Sequence, residues 1–368
     1  MLIWNVKNAL LIAVQLRRTV FHQTIQNFLL AGAQPKRSPA PIAPQQPPAL
    51  TALIAAIAPS HAAFNARAIE YGHHYRSAFW ALYLLSAAAV LSAALPLALG
   101  WDDARSSMAD FSGIWVVSEL LIIALVGLIY WRGHQQDWQG QWLAARTKAE
   151  LAWYLPLIAP LVDFSAATNA PNCNAPNWYA QLFDPGHHLE TGGDIDALCA
   201  AHAPLARDAL AAAWSNPQFI AGYAHWAADI LEARRQYHLH VAVRHHALLH
   251  RVHAINTWLF GLTALAALTH LVVHSRLLTL MTIFFPALVA SLHGGLAQSE
   301  AYRLEATSRR LAAELGRLIA PIRHSLAAPE PLATADAVRT AIQSAVVLIL
   351  NEHKAWHMLV RPHHLPLG

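Results

Sequence analysis

The chain has 368 residues, of which 56% are hydrophobic and only 12% charged, with a mean hydropathy of +0.32. A soluble domain carries roughly twice that charged share, so composition argues against an ordinary soluble globular protein. The isoelectric point near 9.2 does not point to nucleic acid, because the net charge is only +4 and most arginines flank apolar stretches, where a membrane protein places them.

Ala and Leu dominate and β-branched runs are rare, which predicts an all-α chain. The N-terminus does not read as a signal peptide: Lys7 precedes a short apolar run and no small-residue cleavage site follows. Residues 1–31 read as an amphipathic helix with Arg17 and Arg18 near its middle, lying on a membrane surface or packing on a partner. Residues 32–49 carry Pro35, Pro39, Pro41, Pro44, Pro47 and Pro48 and read as a polyproline or disordered linker.

Four stretches are free enough of charge to span a bilayer, which takes about 20 apolar residues. They are Ala78–Leu99, Phe111–Trp131 (interrupted by Glu119), Ala254–Val273, and Leu277 to Leu292. Only His274, Ser275 and Arg276 separate the last two, so a tight hairpin is expected. Arg67, Arg76, Arg132, Arg146, Lys148, Arg234, Arg235, Arg244, Arg251, Arg303, Arg309, Arg310, Arg317 and Arg323 fall on one side of these spans. The loop after the first span holds Asp102, Asp103, Arg105 and Asp110 and is acidic. The positive-inside rule then places both termini and the middle of the chain in the cytoplasm of a multi-pass inner-membrane protein. Trp80, Trp101, Trp115, Tyr130, Trp131 and Trp258 near the span ends fit an aromatic belt.

Between and after the spans, residues 50–162 hold the first hairpin and a helix that continues from its second span over 132–155. Residues 163–204 read as an irregular region, marked by an Asn/Pro cluster, Asp184-Pro185-Gly186 and Gly192-Gly193. A helix from about Leu205 enters the third span without a break, and residues 205–328 close with a helix over 300–320. Pro329 and Pro331 precede a last helix from Thr334 to Leu359 within 329–368. Cys173 and Cys199 lack metal spacing and read as reduced thiols.

The helices behind the two hairpins share a pattern, Arg146-Thr-Lys-Ala-Glu150 and Arg310-Leu-Ala-Ala-Glu314. Arg and Glu four apart share a helix face and can pair; ordinary salt bridging or a degenerate duplication would each explain it. The stretch from Trp142 through Arg146 and Glu150 to Trp153-Tyr154 resembles the SLATT superfamily of two-transmembrane effector domains, which accompany nucleotide synthetases and SLOG sensor domains. Arg235–His238 leading into Thr257–Phe260, and Asn351-Glu352-His353 followed by Trp356, are similar to longer members with a second hairpin. The resemblance covers about residues 65–360. It implies a pore-forming effector of bacterial conflict systems, opened or assembled by a nucleotide signal from a sensor or synthase encoded nearby. No sensor domain is legible in the sequence.

No phosphate-binding loop, dinucleotide fingerprint, zinc-protease motif or nucleophile elbow occurs, so no enzymatic activity and no cofactor are expected. His246, His250 and His253 share a helix face and are weak metal or pH-sensing candidates; interfacial placement is the preferred reading. His270 and His274 stand at a pore mouth or at an interface. Glu119, beside Ser118, lies roughly one to two turns from the outer end of its span. A carboxylate there is costly unless it faces protein or water, so it lines an oligomeric pore or snorkels to the interface. The sequence reading is therefore a homo-oligomeric gated pore with Glu119, Ser118, His270 and His274 at the pore and Trp142, Arg146, Glu150, Arg310 and Glu314 in its gating helices. A non-channel scaffold that recruits a cytoplasmic partner is the second reading. A small transporter is third, disfavoured because both hairpins enter from one side and only Pro286 breaks a span.

Overall fold

A computed structural model of the chain describes residues 21–30, 47–101, 112–162, 193–210, 213–326 and 335–360. Its elements in chain order are α1 (Phe21–Leu29), α2 (Pro48–Leu99), α3 (Ser112–Gln135), α4 (Trp138–Ile158), α5 (Gly193–Leu210), α6 (Pro217–His270), α7 (Arg276–Gln298), α8 (Ala301–Leu326) and α9 (Ala335–Val360). No strand occurs among the described residues. Four helical stretches are long and apolar enough to cross a membrane: Pro48–Leu99, Gly113–Gln135, Pro217–His270 and Arg276–Leu326, the last taking in α7 and α8. This is the pattern of a multi-pass membrane protein.

The long helices start alike. Pro47 holds an extended conformation before α2 and Pro48 occupies its first turn, where a missing N–H costs nothing. Before α6, the Asn216 side chain accepts from Gln218 N–H at 2.9 Å and Phe219 N–H at 3.4 Å, and Pro217 follows. α2 has 52 residues and α6 has 54. At 1.5 Å per residue each is about 80 Å long. A bilayer core accounts for about 30 Å of that, so more than half of each helix lies outside the apolar stretch.

α2 stops at Gly100, whose φ of 71° is left-handed. The Gly100 N–H reaches Leu97 O at 3.3 Å and the Trp101 N–H reaches Pro96 O at 3.0 Å, closing the last turn. The Arg276 guanidinium, at the start of α7, occupies the place a Gly100 side chain would take. The end of α2 therefore meets the start of α7.

α2 packs against α3 and α4, α6 against α7 and α8, and α2 against α7. Two cores result. The larger joins Leu50, Leu53 and Ile57 of α2 with Leu151, Tyr154 and Leu155 of α4, Ile195 and Cys199 of α5, Tyr223 and Leu231 of α6, Leu315 and Ile322 of α8, and Ile342 and Val346 of α9. The smaller sits at the base of the apolar stretches. It gathers Leu30, Tyr75, Phe79, Trp80, Trp138, Leu249, Val252 and Leu296. Above it the outward faces are apolar and exposed: Leu120, Leu121 and Leu128 on α3, Trp258, Phe260 and Leu268 on α6, and Ile283 on α7.

Several boundaries differ from the sequence reading. The second apolar helix does not continue over 132–155. It breaks at Asp137, whose φ is 41°, and the Asp137 carboxylate accepts the Gly140 N–H at 3.1 Å to start α4. Glu300, at φ 53°, separates α7 from α8 in the same way, and α8 then runs on through Pro321 to Leu326. Part of the region expected to be irregular is helix: α5 begins at Gly193, with Asp194 and Asp196 in the first turn, where the helix dipole favours acids. The Gly192-Gly193 turn signal therefore marks a helix start. The helix expected from Leu205 is divided: α5 ends at Leu210, a 3₁₀ turn covers Ala213–Ser215, and α6 then runs unbroken into the third apolar stretch. The linker ends at Pro47, since Pro48 and Ala49 are already helical. Residues 1–20 of the expected amphipathic helix, most of the linker, Cys173 and the 361–368 tail lie outside the described residues.

Candidate functional site

Where side chains of α4 and α6 meet below the apolar stretches, a polar cluster interrupts the core. Glu150 is 6% exposed. Its carboxylate Oε1 accepts from the Arg146 guanidinium one turn earlier on α4 and from Arg234 Nη1 of α6 at 3.3 Å. Arg234 lies over Tyr237 at 5.2 Å and Tyr154 at 6.0 Å. Burial opposes the Arg234 charge, but the two tyrosines, Glu150 and Glu352 of α9 outweigh it and raise its pKa. Burial raises the Glu352 carboxyl, with Arg234 acting against it. The buried Tyr154 hydroxyl has no hydrogen-bond partner, and burial raises its pKa.

His238, one turn after Arg234, is 4% exposed, and its Nδ1 lies 3.4 Å from Ser308 Oγ of α8. Its Nε2 is buried without a partner. Burial first, then the Arg234 charge, pushes its pKa down to about 3. This histidine is neutral across the physiological range.

Trp142 stands at the other end of the cluster. Its ring stacks on Tyr75 at 5.5 Å, Arg76 lies over it at 5.5 Å, and it packs against Gly72 so closely that a Cβ there would fall 2.7 Å from the indole nitrogen. Trp142, Arg146 and Glu150 thus come together on one face of α4. The corresponding pair on α8 does not form: Glu314 takes Arg317 at 3.2 Å instead of Arg310. Glu314 lies on the outer surface, where the nearer partner suffices.

In the apolar stretches, Ser118 faces α2. Ser92 Oγ donates to Ser118 Oγ at 3.2 Å, so the serine pair ties α3 to α2. Ser118 also edges an open groove with Ile114, Val117, Leu121, Ile122 and Leu125. Glu119, next in sequence, is half-buried. The His270 and His274 rings lie 5.7 Å apart at the outer end of the third apolar stretch. The residues His246, His250 and His253 are not assembled for a metal. Among the described residues no group of three potential ligands stands where one ion could be held, and His246 Nδ1 goes to Glu305 at 3.0 Å.

Sequence reading missed Arg76, Arg234, Tyr237 and His238 as site residues. The arginines registered there only as markers of orientation. The usable signal was the side of α6 on which they fall: Arg234 and His238 are four apart and therefore share the face turned to α4 and α8. No protein-family model matches the chain, and no curated protein or solved structure matches it.

Proposed function

We propose that this protein is a homo-oligomeric, gated membrane pore or permeabilising effector of a bacterial conflict system, without enzymatic activity. The observation that carries the reading is the condition of α3. This helix leans mainly on α2, no residue of its apolar window is fully buried, and it holds Glu119 among leucines and valines. A carboxylate at that depth is stabilised by protein or water rather than lipid. A ring of copies, each presenting α3, would give Glu119 a water-filled centre that attracts cations. The polar body would be the gate, and the SLATT resemblance of its Trp142–Glu150 face supports that assignment.

The arginine distribution puts the polar body in the cytoplasm and the Gly100–Arg276 tips outside the inner membrane. With Cys173 and Cys199 replaced by Ser, Val272→Cys at the 83% exposed tip should react with an impermeant maleimide on intact spheroplasts. Arg317→Cys on the body should react only after permeabilisation. The reverse labelling would overturn the orientation.

The pore itself is tested by expression with a membrane-potential dye and by ion flux from proteoliposomes. Depolarisation, with cation preference lost in Glu119→Gln, is the expected result. Protein that reaches the membrane and leaves both potential and flux unchanged would instead favour a scaffold that recruits a cytoplasmic partner.

A further inference from the structure

Just below the apolar stretches, where α2, α4 and α6 converge, positive charge outruns the carboxylates available to it. Glu150 already serves Arg146 and Arg234, and Glu352 of α9 acts on the same two arginines. Glu232 is taken by Arg235 at 2.8 Å, and Glu305 by Arg309 at 2.7 Å and His246. Arg76 donates its Nε to Gly72 O at 2.9 Å and rests on Trp142. Arg244 gives Nη2 to the Gln26 side-chain oxygen of α1 at 2.9 Å. Neither meets a carboxylate among the described residues. A guanidinium has five N–H donors, so most of those on Arg76 and Arg244 remain unspent.

These groups act on one another. Burial, followed by the charges of Arg146 and Arg244, brings Arg76 down to about 10 despite the help of Tyr237. Tyr237 is the shared neighbour: Arg234 lies over its ring, Arg76 and Arg244 stand near it, and it is 49% exposed, so the cluster opens to solvent. His245 lies beside Arg244 and Arg76 with its Nδ1 buried and unpartnered.

We propose that Arg76, Arg146 and Arg244, with Tyr237 and His245, form a binding site for a phosphate-bearing anion at the junction of the apolar stretches and the polar body. Phosphate fits better than a carboxylate for two reasons. Its oxygens accept from several forked guanidiniums at once, and a second negative charge answers more than one of them. Arg76 also stands at headgroup depth, two residues before the first apolar stretch. The phosphate comes from a lipid headgroup or from a soluble compound. The site does not depend on the pore reading, because occupancy is measured without conductance.

The test uses the full chain in nanodiscs of phosphatidylcholine alone. Pyrophosphate and inorganic phosphate are titrated against sodium chloride of equal ionic strength, with thermal melting and tryptophan emission as readouts, since Trp142 lies against Arg76. Saturable stabilisation by pyrophosphate is expected, weakened at least tenfold in Arg244→Gln. Arg76→Lys keeps a charge against Trp142 but loses the fork, so it should weaken binding while melting normally without ligand. A second set of nanodiscs contains phosphatidylglycerol. If that lipid raises the melting point of the wild type but not of Arg244→Gln, and blocks the pyrophosphate response, the occupant is a headgroup. If pyrophosphate binds equally in both membranes, it is soluble. No saturable response to pyrophosphate, phosphate or phosphatidylglycerol beyond the salt control would overturn the site. Equal responses in the wild type and both variants would do the same.

Discussion

Replacing Glu150 by Gln leaves Arg146 and Arg234 facing each other with no anion between them. Breaking a buried pair by removing one partner costs about 3–5 kcal/mol. The lower end applies here, because the Arg146 side chain is 30% exposed and water screens part of its charge. Glu150→Gln should therefore lower the melting temperature by roughly 4–10 degrees in detergent, whereas Glu314→Gln, on a partly exposed surface pair, should leave it within a degree or two. Equal effects would mean that the Glu150 cluster contributes nothing particular.

His238 gives the fold a pH dependence with a definite sign. Unfolded, it takes up a proton near pH 6.5; folded, burial holds it neutral down to about 3. The unfolded state then binds more protons, so stability is full above pH 6.5 and falls as the pH drops towards 3. The slope is about 1.4 kcal/mol per pH unit from this group. His245, brought down to about 4 by burial and by Arg244 and Arg76, adds to the same window. Melting curves between pH 7.5 and 4 should show the loss, and His238→Gln should remove part of the slope.

At the scale of elements, α2 and α7 approach each other through glycine. A Cβ on Gly295 would fall 2.6 Å from the Trp80 ring, and one on Gly294 would fall 2.3 Å from Tyr83. Trp80 is fully buried in the smaller core and has no room to retreat. Gly295→Ala should cost about 1–3 kcal/mol from overpacking, read as a lower melting temperature. Gly127→Ala on α3, whose Cβ would meet nothing, should be neutral or slightly stabilising. The breaks between helices are a second element-scale feature. Asp137 both adopts the left-handed conformation and caps α4, so Asp137→Ala should cost about 1 kcal/mol while Asp137→Asn is nearly neutral.

For the whole molecule, the sequence made the apolar stretches plain, because runs of Leu, Ala and Val without charge leave few alternatives. The start of α6 at Pro217 and the left-handed residues at 137 and 300 were not legible. Asp and Glu at φ > 0 carry no strong local signature, unlike glycine. The site was half legible for a similar reason. Arg146 and Glu150 lie within one helix, and their spacing announces the pair. Arg234 reaches Glu150 across 84 positions of chain, and nothing in its own neighbourhood says so. Ser118 was legible as polar among apolar residues, but its partner Ser92 required the packing of α2 on α3.

The two long helices and the two broken ones differ in what they can pass along the molecule. α2 and α6 cross from the polar body into the apolar stretch with no interruption, whereas α3 and α7 each turn over a single left-handed residue at that level. A helix whose hydrogen-bond ladder is unbroken resists bending at that level more than one that turns over a left-handed residue. A helix cut at Asp137 or Glu300 swivels instead and lets its two parts move apart. The molecule therefore combines two continuous helices, α2 and α6, with two that are jointed where the polar body meets the apolar stretch.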